Sequence, residues 1–387
     1  MAGRVVLFGA TGYTGRLTAE AMLERGMRPV LAARSRDKLD ELAAELGGGL
    51  ETAVADVSEP PTLGDLVGSG DVLVTTVGPF LKVGAAAAAA ASTHGAHYLD
   101  STGEPPFIRQ VFERYGEAAR KSGSGMLTAF GYDFVPGNLA GALALERAGE
   151  RAVRVDVGYF ATGATSPAAL SGGTRASLMG VVAEPAFAYR QGRVHTERGA
   201  ARQRSFQIDG KQRGAVAIGA SEHFALPRVA PQLEQVNAYL GWFGPASRAL
   251  PSVSAGASAL MKLPGASSAW ELLSSKLVKG SSGGPGPEER AKVGSHVVGI
   301  AYDAGGQALA EVHLTGKDAY GYTGRILAWG AEHAAQGGLR DSGALGPVDG
   351  FGLRELERGC AEAGLTAEGE PGEARNGEPG RARAQAG

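Results

Sequence analysis

The chain has few of the residues that characterise several protein classes. Among its 387 residues the one cysteine, Cys360, excludes a disulfide framework or a multi-thiol metal site and fits a reducing cytoplasm. Its net charge of −2 gives no general attraction for nucleic acid or for a membrane surface. No apolar run approaches the roughly 18 residues that span a bilayer, and the N-terminus lacks the layout of a signal peptide. We therefore expect a cytoplasmic protein that has no transmembrane segment and binds no nucleic acid.

Glycine, by contrast, is abundant at 61 residues, and the first glycines form a motif. Residues 5–16 read VVLFGATGYTGR, in which the apolar run predicts a buried strand, and the residues after the motif predict a helix. Gly9, Gly12 and Gly15 lie between the two, where free backbone N–H groups and the positive end of the helix dipole would meet a pyrophosphate. Because glycine is so common here, the motif alone is also compatible with a plain tight turn.

Basic residues follow the second predicted strand, residues 29–34. In dinucleotide-binding folds this strand end faces the adenosine ribose, about 20 residues past the glycines, and an acid there favours NAD. This chain has Arg34, Ser35 and Arg36 instead, with Lys38 close behind. Guanidinium groups match the geometry of a phosphate, so the segment predicts a site for the 2′-phosphate of NADP. The alternative is a solvated basic loop before the next helix.

Further strands alternate with helices, which predicts an α/β fold with a doubly wound parallel sheet. The third strand ends at Asp56 and Val57, where an adenine ring usually packs. The fourth, fifth and sixth strands run into VGPF, DSTGE and GYDFVPG. Ligands of such sheets bind outside the carboxyl ends of the strands, so these segments should share one crevice with the glycine motif.

The pattern changes beyond about residue 150, where RVDVGYF alternates and HVVGIAYDAGGQALAEVHLTG predicts a hairpin. We predict four regions. They are a Rossmann NADP-binding domain at 1–135, an inserted α+β substrate domain at 136–320, C-terminal helices that pack back on the first domain at 321–365, and a disordered Gly/Pro-rich tail at 366–387.

The predicted crevice offers three candidates for catalysis, namely Tyr132, Asp100 and Asp133. A hydride acceptor needs a partner that supplies or steers a proton. None of the ten tyrosines has a lysine four residues later, which argues against the Tyr-x-x-x-Lys mechanism of short-chain dehydrogenases. Asp100 has the alternative of capping a turn, and Asp133 that of capping a helix. His94 and His97 have a ligand-like spacing but no third ligand at a recognisable offset, so we expect no metal site.

GATGYTGR, VGPF, HYLDSTGE, GYDFVPGNLA and SGGT (171–174), in this order, resemble the saccharopine dehydrogenase-like oxidoreductases. TGKDAYGYTGRILAWGA is most similar to the bacterial branch that includes trans-acting enoyl reductases. The resemblance implies a Rossmann domain, an inserted α+β domain and often a homodimer. It implies cofactor contacts from the glycine motif, the second strand end and VGPF. With the third strand end, the predicted NADP contacts are Gly9, Thr11, Gly12, Tyr13, Thr14, Gly15, Arg34, Ser35, Arg36, Lys38, Asp56, Val57, Val77, Gly78, Pro79 and Phe80.

The leading functional hypothesis is an NADPH-dependent reductase of a conjugated C=C bond in a small-molecule or carrier-bound acyl, lipid-like substrate. One alternative is reduction of a C=N bond, as in the formation of saccharopine. That substrate class carries carboxylates, for which Arg175, Arg290 and Arg325 are candidates without an assigned geometry. A second alternative is a protein that senses NADP and catalyses nothing.

Overall fold

The first sheet of the computed structural model, which describes residues 3–163, 180–181, 185–260 and 283–368, has seven parallel strands. Their order is β15-β6-β5-β4-β1-β2-β3. They are β1 (Val5–Phe8), β2 (Val30–Ala33), β3 (Thr52–Val54), β4 (Val72–Thr75), β5 (His97–Asp100), β6 (Gly125–Leu127) and β15 (Gly343–Ala344). The first six strands follow the order of a dinucleotide-binding fold, which confirms the predicted fold class.

Helices cover both faces of this sheet. They are α1 (Tyr13–Glu24), α2 (Arg36–Glu45), α3 (Pro60–Gly64), α4 (Phe80–Val83), α5 (Ala85–His94), α6 (Pro105–Gln110), a π-helical turn (Val111–Tyr115), α7 (Gly116–Ser122) and α8 (Val135–Ala148). Alternate residues of β1 belong to different cores: Leu7 packs in the core with α1 and α2, and Val6 packs in the core with α5. Burial on both faces explains why the strands are continuously apolar.

Among the described residues the second sheet is mixed and has nine strands. They are β7 (Arg154–Gly163), β8 (Pro185–Arg190), β9 (Arg193–Arg198), β10 (Gln203–Ile208), β11 (Lys211–Ile218), β12 (Gln235–Leu240), β13 (Val293–Tyr302), β14 (Ala308–Lys317) and β16 (Leu365–Ala367). The order is β10-β11-β12-β7-β13-β14-β16, with β8 paired to β12 and β9 paired to β8. One face packs against α8 so closely that a Cβ at Gly299 would lie 2.5 Å from the carbonyl carbon of Ala140.

The remaining helices are α9 (Glu222–Val229), α10 (Leu250–Leu260), α11 (Pro287–Ala291), α12 (Ala319–Ala335), α13 (Pro347–Phe351) and α14 (Leu353–Glu362), with 3-10 turns at Gly149–Arg151 and Gly244–Arg248. Helix α12 packs directly on α1, since a Cβ at Gly324 would lie 2.9 Å from the carbonyl carbon of Leu17. Within the described residues no helix is long and apolar enough to cross a membrane.

Several local expectations differ from the structure. Helix α1 begins at Tyr13, so the last glycine of the motif is already helical. Pro185–Arg190, in a part of the second domain for which no element is predicted above, forms strand β8 and pairs with β9 and β12. The predicted tail begins at 366, whereas Thr366 pairs with Thr315 in β16; residues 369–387 lie outside the described residues. The SGGT motif and Arg175 also lie outside them.

Candidate functional site

The glycine motif forms a bare helix N-terminus at the carboxyl end of β1. Gly9 has a φ of +90°, which glycine adopts without strain, and a Cβ at Gly15 would lie 2.1 Å from the carbonyl oxygen of Gly9. Around Gly12, the N-cap of α1, the nearest described atom to an added Cβ is the Gly9 oxygen at 3.2 Å, and no side chain in the described part of the chain caps the helix. The space that a Cβ would occupy at Gly12 and the uncapped N–H groups fit a pyrophosphate.

The side chains of the motif differ in their orientation. Thr11 is exposed and Thr14 is half-buried, so both are accessible from the loop. Tyr13 instead turns toward a distant segment: its hydroxyl donates to the Pro285 carbonyl oxygen at 2.6 Å and accepts from Arg290 Nη1 at 3.1 Å. Tyr13 therefore offers its backbone to a cofactor, while its side chain holds residues 283–292 over the loop.

The basic residues after β2 lie at the edge where the adenosine ribose is expected. Arg34 is exposed and makes no hydrogen bond or ion pair with the described residues. Ser35 is the N-cap of α2, and its hydroxyl makes no capping bond. Arg36 Nη1 donates to Thr52 Oγ1 at 3.0 Å, and Lys38 is exposed on α2. Arg34 and Ser35 are thus the groups most available to a 2′-phosphate.

The residues after β3 lie beside Arg34. Asp56 Oδ1 accepts from the backbone N–H and the hydroxyl of Ser58 at 2.9 and 2.8 Å. These bonds, and then the charge of Arg34, hold the pKa of Asp56 below its ordinary value. Val57 is half-buried against the core that contains α5. The pair therefore follows the end of β3, where an adenine contact stays a prediction, and the Asp56 carboxylate is close enough to Arg34 for its charge to act on it.

The turn after β4 contacts the glycine motif directly. Thr76 Oγ1 donates to the Gly9 carbonyl oxygen at 3.2 Å. Val77 is half-buried, and Gly78 and Pro79 are exposed. A cofactor bound at the motif would meet these residues at the same sheet edge.

The fourth residue of VGPF has a different environment. The Phe80 ring is buried, with its centroid 5.6 Å from that of Phe107, so its side chain belongs to the core. Glu104, from the STGE segment, accepts the backbone N–H groups of Phe80 and Leu81 at 2.7 and 3.0 Å. A carboxylate therefore fixes the turn at its start, and Phe80 offers only its backbone to a cofactor.

Asp100, at the end of β5, is completely buried. Its Oδ1 accepts the backbone N–H groups of Thr102 and Ala129, both at 2.9 Å. Burial raises the pKa of Asp100 to about 6, although these bonds favour the ionised form. The carboxylate joins the ends of β5 and β6, as the turn-capping alternative describes.

Tyr132 and Asp133 lie at the junction of the two sheets. The Tyr132 ring is buried among the rings of Tyr159, Trp242 and Tyr322, at centroid distances of 6.2, 6.2 and 6.3 Å. Burial raises the pKa of Tyr132 well above its ordinary value. Asp133 is half-buried, and burial raises its pKa to about 6. Tyr132 and Asp133 are adjacent in the chain, whereas the Asp100 carboxylate is bound by backbone N–H groups after β5 and β6.

The second domain adds two residues that the sequence did not single out. Tyr159, on β7, donates from its hydroxyl to Glu222 Oε1 on α9 at 2.5 Å. A Cβ at Gly137, the last residue of GYDFVPG, would lie 2.0 Å from the Tyr159 hydroxyl. The absence of a side chain at this position therefore leaves space for the hydrogen bond between Tyr159 and Glu222. Burial raises the pKa of Glu222 to about 8, which keeps the carboxyl protonated at neutral pH. We call Tyr132, Asp133, Tyr159 and Glu222 the junction cluster.

Two buried polar atoms of the junction cluster lack a well-formed internal hydrogen bond. The Tyr132 hydroxyl and Glu222 Oε2 make no hydrogen bond of good geometry within the part of the chain that the structure describes, although the side chains of Ser295 and Ser221 lie near enough to Tyr132 and Glu222 to lower their pKa values. Trp242 Nε1, on the wall of the same aromatic group, is also unpartnered there. Since buried polar groups are normally satisfied, three such atoms indicate a place for a polar ligand.

The remaining candidates serve the fold. His94 Nδ1 contacts the Ala90 carbonyl oxygen at 2.9 Å, and His97 Nδ1 accepts the Gly125 N–H at 3.0 Å, so the two rings do not converge. Arg290 Nε pairs with Asp318 at 3.2 Å, and Arg325 Nε donates to the Ala363 carbonyl oxygen at 2.8 Å. Neither arginine belongs to the junction cluster.

Residues 5–127 match the family model of the saccharopine dehydrogenase NADP binding domain. A trans-acting enoyl reductase from Mycobacterium leprae is 39% identical over 140 residues, 35% of this chain and 34% of that protein. A putative trans-acting enoyl reductase from Mycobacterium tuberculosis is 38% identical over 141 residues, again 35% of this chain and 34% of the relative. The matches thus span about a third of the curated relatives.

Two solved structures resemble the whole fold. Apo saccharopine dehydrogenase (L-Glu forming) from Saccharomyces cerevisiae has a TM-score of 0.59 and 13% identity, over 95% of this chain and 99% of that one. Homospermidine synthase from Legionella pneumophila, in complex with NAD, has a TM-score of 0.58 and 11% identity, over 99% and 96%. At these identities the likeness shows the fold alone. Together the comparisons confirm the expected resemblance and the NADP cofactor.

Proposed function

We propose that this saccharopine dehydrogenase-like chain is an NADPH-dependent reductase. The premise of the proposal is the NADP-binding domain at residues 5–127. The substrate in this proposal is a conjugated C=C bond of an acyl or lipid-like molecule, free or carrier-bound. The relatives named trans-acting enoyl reductase, which match about a third of this chain, support this choice. The observation that carries it is the chemistry of the junction cluster, which combines neutral hydrogen-bond donors with aromatic walls.

Conjugate reduction needs such donors. Bound NADPH supplies a hydride for the β-carbon of the substrate, and negative charge then develops on the carbonyl oxygen. The Tyr132 hydroxyl and Oε2 of the protonated Glu222 carboxyl are buried and lack a well-formed hydrogen bond in the described residues, so they are available to stabilise that oxygen. Removing one donor of this kind typically costs about 10²–10³ in kcat. Tyr159 orients Glu222 through its hydrogen bond.

Imine reduction is the second candidate, and Asp133 favours it. A C=N acceptor is cationic, so an ionised carboxylate beside it would stabilise the substrate. The pKa of Asp133, about 6, leaves it mostly ionised at pH 7, and Asp133 makes no hydrogen bond within the described ranges. Arg290 and Arg325, the described candidates for binding the carboxylates of such a substrate, are engaged elsewhere. This engagement makes the enoyl proposal the stronger one.

The test compares three conservative variants. Tyr132→Phe, Asp133→Asn and Asp100→Asn are assayed for NADPH oxidation with an enoyl thioester, with a cyclic imine and with a ketone as control. NADPH affinity is measured separately by fluorescence. The proposal expects enoyl turnover only, and a loss of kcat of about 10²-fold or more in Tyr132→Phe at unchanged NADPH affinity. Turnover of the imine alone, with a loss confined to Asp133→Asn, would establish the second candidate.

An NADP-sensing protein gives a different result. It would bind NADPH with its ordinary affinity and oxidise it with none of the three substrate classes. The same preparations test the proposed homodimer by light scattering across a concentration series. A monomer at all concentrations would remove the dimer from the proposal without affecting the reductase assignment.

A further inference from the structure

A pair of histidines lies on the second sheet, on the face away from α8. His296 is on β13 and His313 is on β14, where His313 pairs in register with Val298. Val298 belongs to the outer hydrophobic cluster of this sheet, whereas Val297 packs with α8. Glu368, just beyond β16, completes a group of three whose ligand atoms all lie within 4.8 Å of one another. None of these residues belongs to the junction cluster.

The two rings face each other through one nitrogen each. His296 Nε2 and His313 Nδ1 are 2.7 Å apart, with the ring planes at 84°. The other nitrogen of each ring faces carboxylates: His313 Nε2 lies 2.7 Å from Glu311 Oε1, and His296 Nδ1 lies 3.5 Å from Asp209 Oδ1 and 3.9 Å from Glu368 Oε1. Carboxylates accept, so both outer nitrogens are suited to carry a proton.

Satisfying every contact of the two rings requires one more positive charge than two neutral histidines provide. Two neutral rings carry one N–H each, yet the two carboxylates and the contact between the rings together call for three. In the structure His296 Nδ1 is the group left over: it is buried and makes no hydrogen bond within the described residues, on a side chain that is 3% exposed. Either a third proton or a metal ion between the facing nitrogens would complete the arrangement.

A metal ion fits better than a proton. The Glu368 carboxylate supplies a third ligand atom within 4.8 Å of those of the two rings, which a metal ion can use and a proton shared by two nitrogens cannot. A metal ion would leave each ring its outer N–H to donate to a carboxylate, and such a bond is what usually orients a metal-binding histidine. Zinc–nitrogen bonds of about 2.0–2.1 Å place tetrahedral ligands roughly 3.3 Å apart, so the rings need to separate by about half an ångström.

We propose that His296, His313 and Glu368 form a binding site for a divalent transition metal of the zinc type. His296 Nε2, His313 Nδ1 and one Glu368 oxygen are the ligands, and water takes the fourth position. Asp209 and Glu311 are positioning residues that orient the two rings. The ion would fasten β16 and the β10–β11 turn, which carries Asp209, to the centre of the second sheet. Its role is therefore structural and independent of the proposed reductase activity.

The test uses the full chain after treatment with EDTA. A titration with ZnCl2 monitored by calorimetry should show one saturable zinc site per chain. Binding of Co2+ should give the visible absorption of a tetrahedral complex. Zinc should raise the Tm. His296→Ala should abolish all three effects, whereas the matched control His94→Ala, an exposed histidine of α5, should leave them unchanged. NADPH binding shows that each variant is folded.

The two positioning residues keep the test decisive if His296→Ala fails to fold. Asp209→Asn and Glu311→Gln alter exposed side chains and should weaken zinc binding about 10- to 100-fold. The proposal is overturned if the wild-type chain binds no zinc, or if His296→Ala, Asp209→Asn and Glu311→Gln all bind zinc as tightly as the wild type.

Discussion

Glu222 provides the sharpest test of the junction cluster, because its proton is a property of the folded state. The pKa of Glu222 rises from 4.5 to about 8 through burial. Between these two pH values the folded chain holds a proton that the unfolded chain has released. The free energy of unfolding must therefore fall as pH rises through this window, by at most about 1.4 kcal/mol per pH unit.

The magnitude follows from the same two values. Between pH 4.5 and pH 7 the free energy of unfolding of the wild type should fall by about 3 kcal/mol, because of Glu222, relative to that of a variant in which this residue does not titrate. Glu222→Gln is that variant, since the amide oxygen still accepts from the Tyr159 hydroxyl. The difference in free energy of unfolding, wild type minus variant, should accordingly shrink by this amount across the window and level off above pH 8.

Urea unfolding at half-unit pH steps measures this difference. Tryptophan fluorescence and circular dichroism must give one coincident transition before the free energies are compared, because two sheets share the chain. Glu41→Gln, on the exposed side of α2, is the matched control and should run parallel to the wild type. Parallel curves for Glu222→Gln as well would mean that the carboxyl is already ionised, and the neutral-donor argument for enoyl reduction would fail.

The cofactor site gives three further predictions. Arg34→Ala should raise the Kd for NADPH roughly 10- to 100-fold and leave that for NADH unchanged, because charge-assisted bonds are worth about 1.5–3 kcal/mol; equal losses in fluorescence titrations would refute the 2′-phosphate assignment. Gly12→Val should abolish the rise in Tm that NADPH causes and lower the Tm without cofactor only modestly, since the added Cβ would meet the Gly9 oxygen at 3.2 Å and the loop would have to shift by a few tenths of an ångström. Gly15→Ala should lower the free energy of unfolding by about 1–3 kcal/mol in urea, because its Cβ would lie 2.1 Å from the Gly9 oxygen; an unchanged value would contradict the packing described for α1.

The nucleotide half of the site could be predicted from sequence because its signals are local. The strand-to-helix turns carry their own glycines, and parallel strand order brings the turns to one edge. The basic cluster after β2 was recognisable for the same reason. Tyr13 shows the limit of such signals, because its hydroxyl partner Pro285 lies 272 positions away in the chain. No local sequence pattern indicates that the side chain of a loop residue is already hydrogen-bonded to a distant segment.

The other half of the site had no local signal. Tyr159 sits in an alternating strand, where an aromatic residue predicts a core position, and the SEHF segment that contains Glu222 gives no indication that a glutamate is buried. Their pairing depends on β7, α9 and Gly137 meeting in space. The same holds for His296 and Glu368, which are joined only by the pairing of β13, β14 and β16. Strand β15, with two residues, is too short for any periodicity.

Strand β15 is synthesised near the end of the chain, and this timing affects how the nucleotide sheet folds during synthesis. This strand pairs with β6 and closes one edge of the nucleotide sheet, although it is made more than 200 residues later. Until residues 343–344 leave the ribosome, β6 is an open edge whose backbone groups are available to other strands. A fragment that stops near residue 135 would keep this edge open permanently. We therefore expect it to aggregate, although it contains every residue predicted here to contact the cofactor.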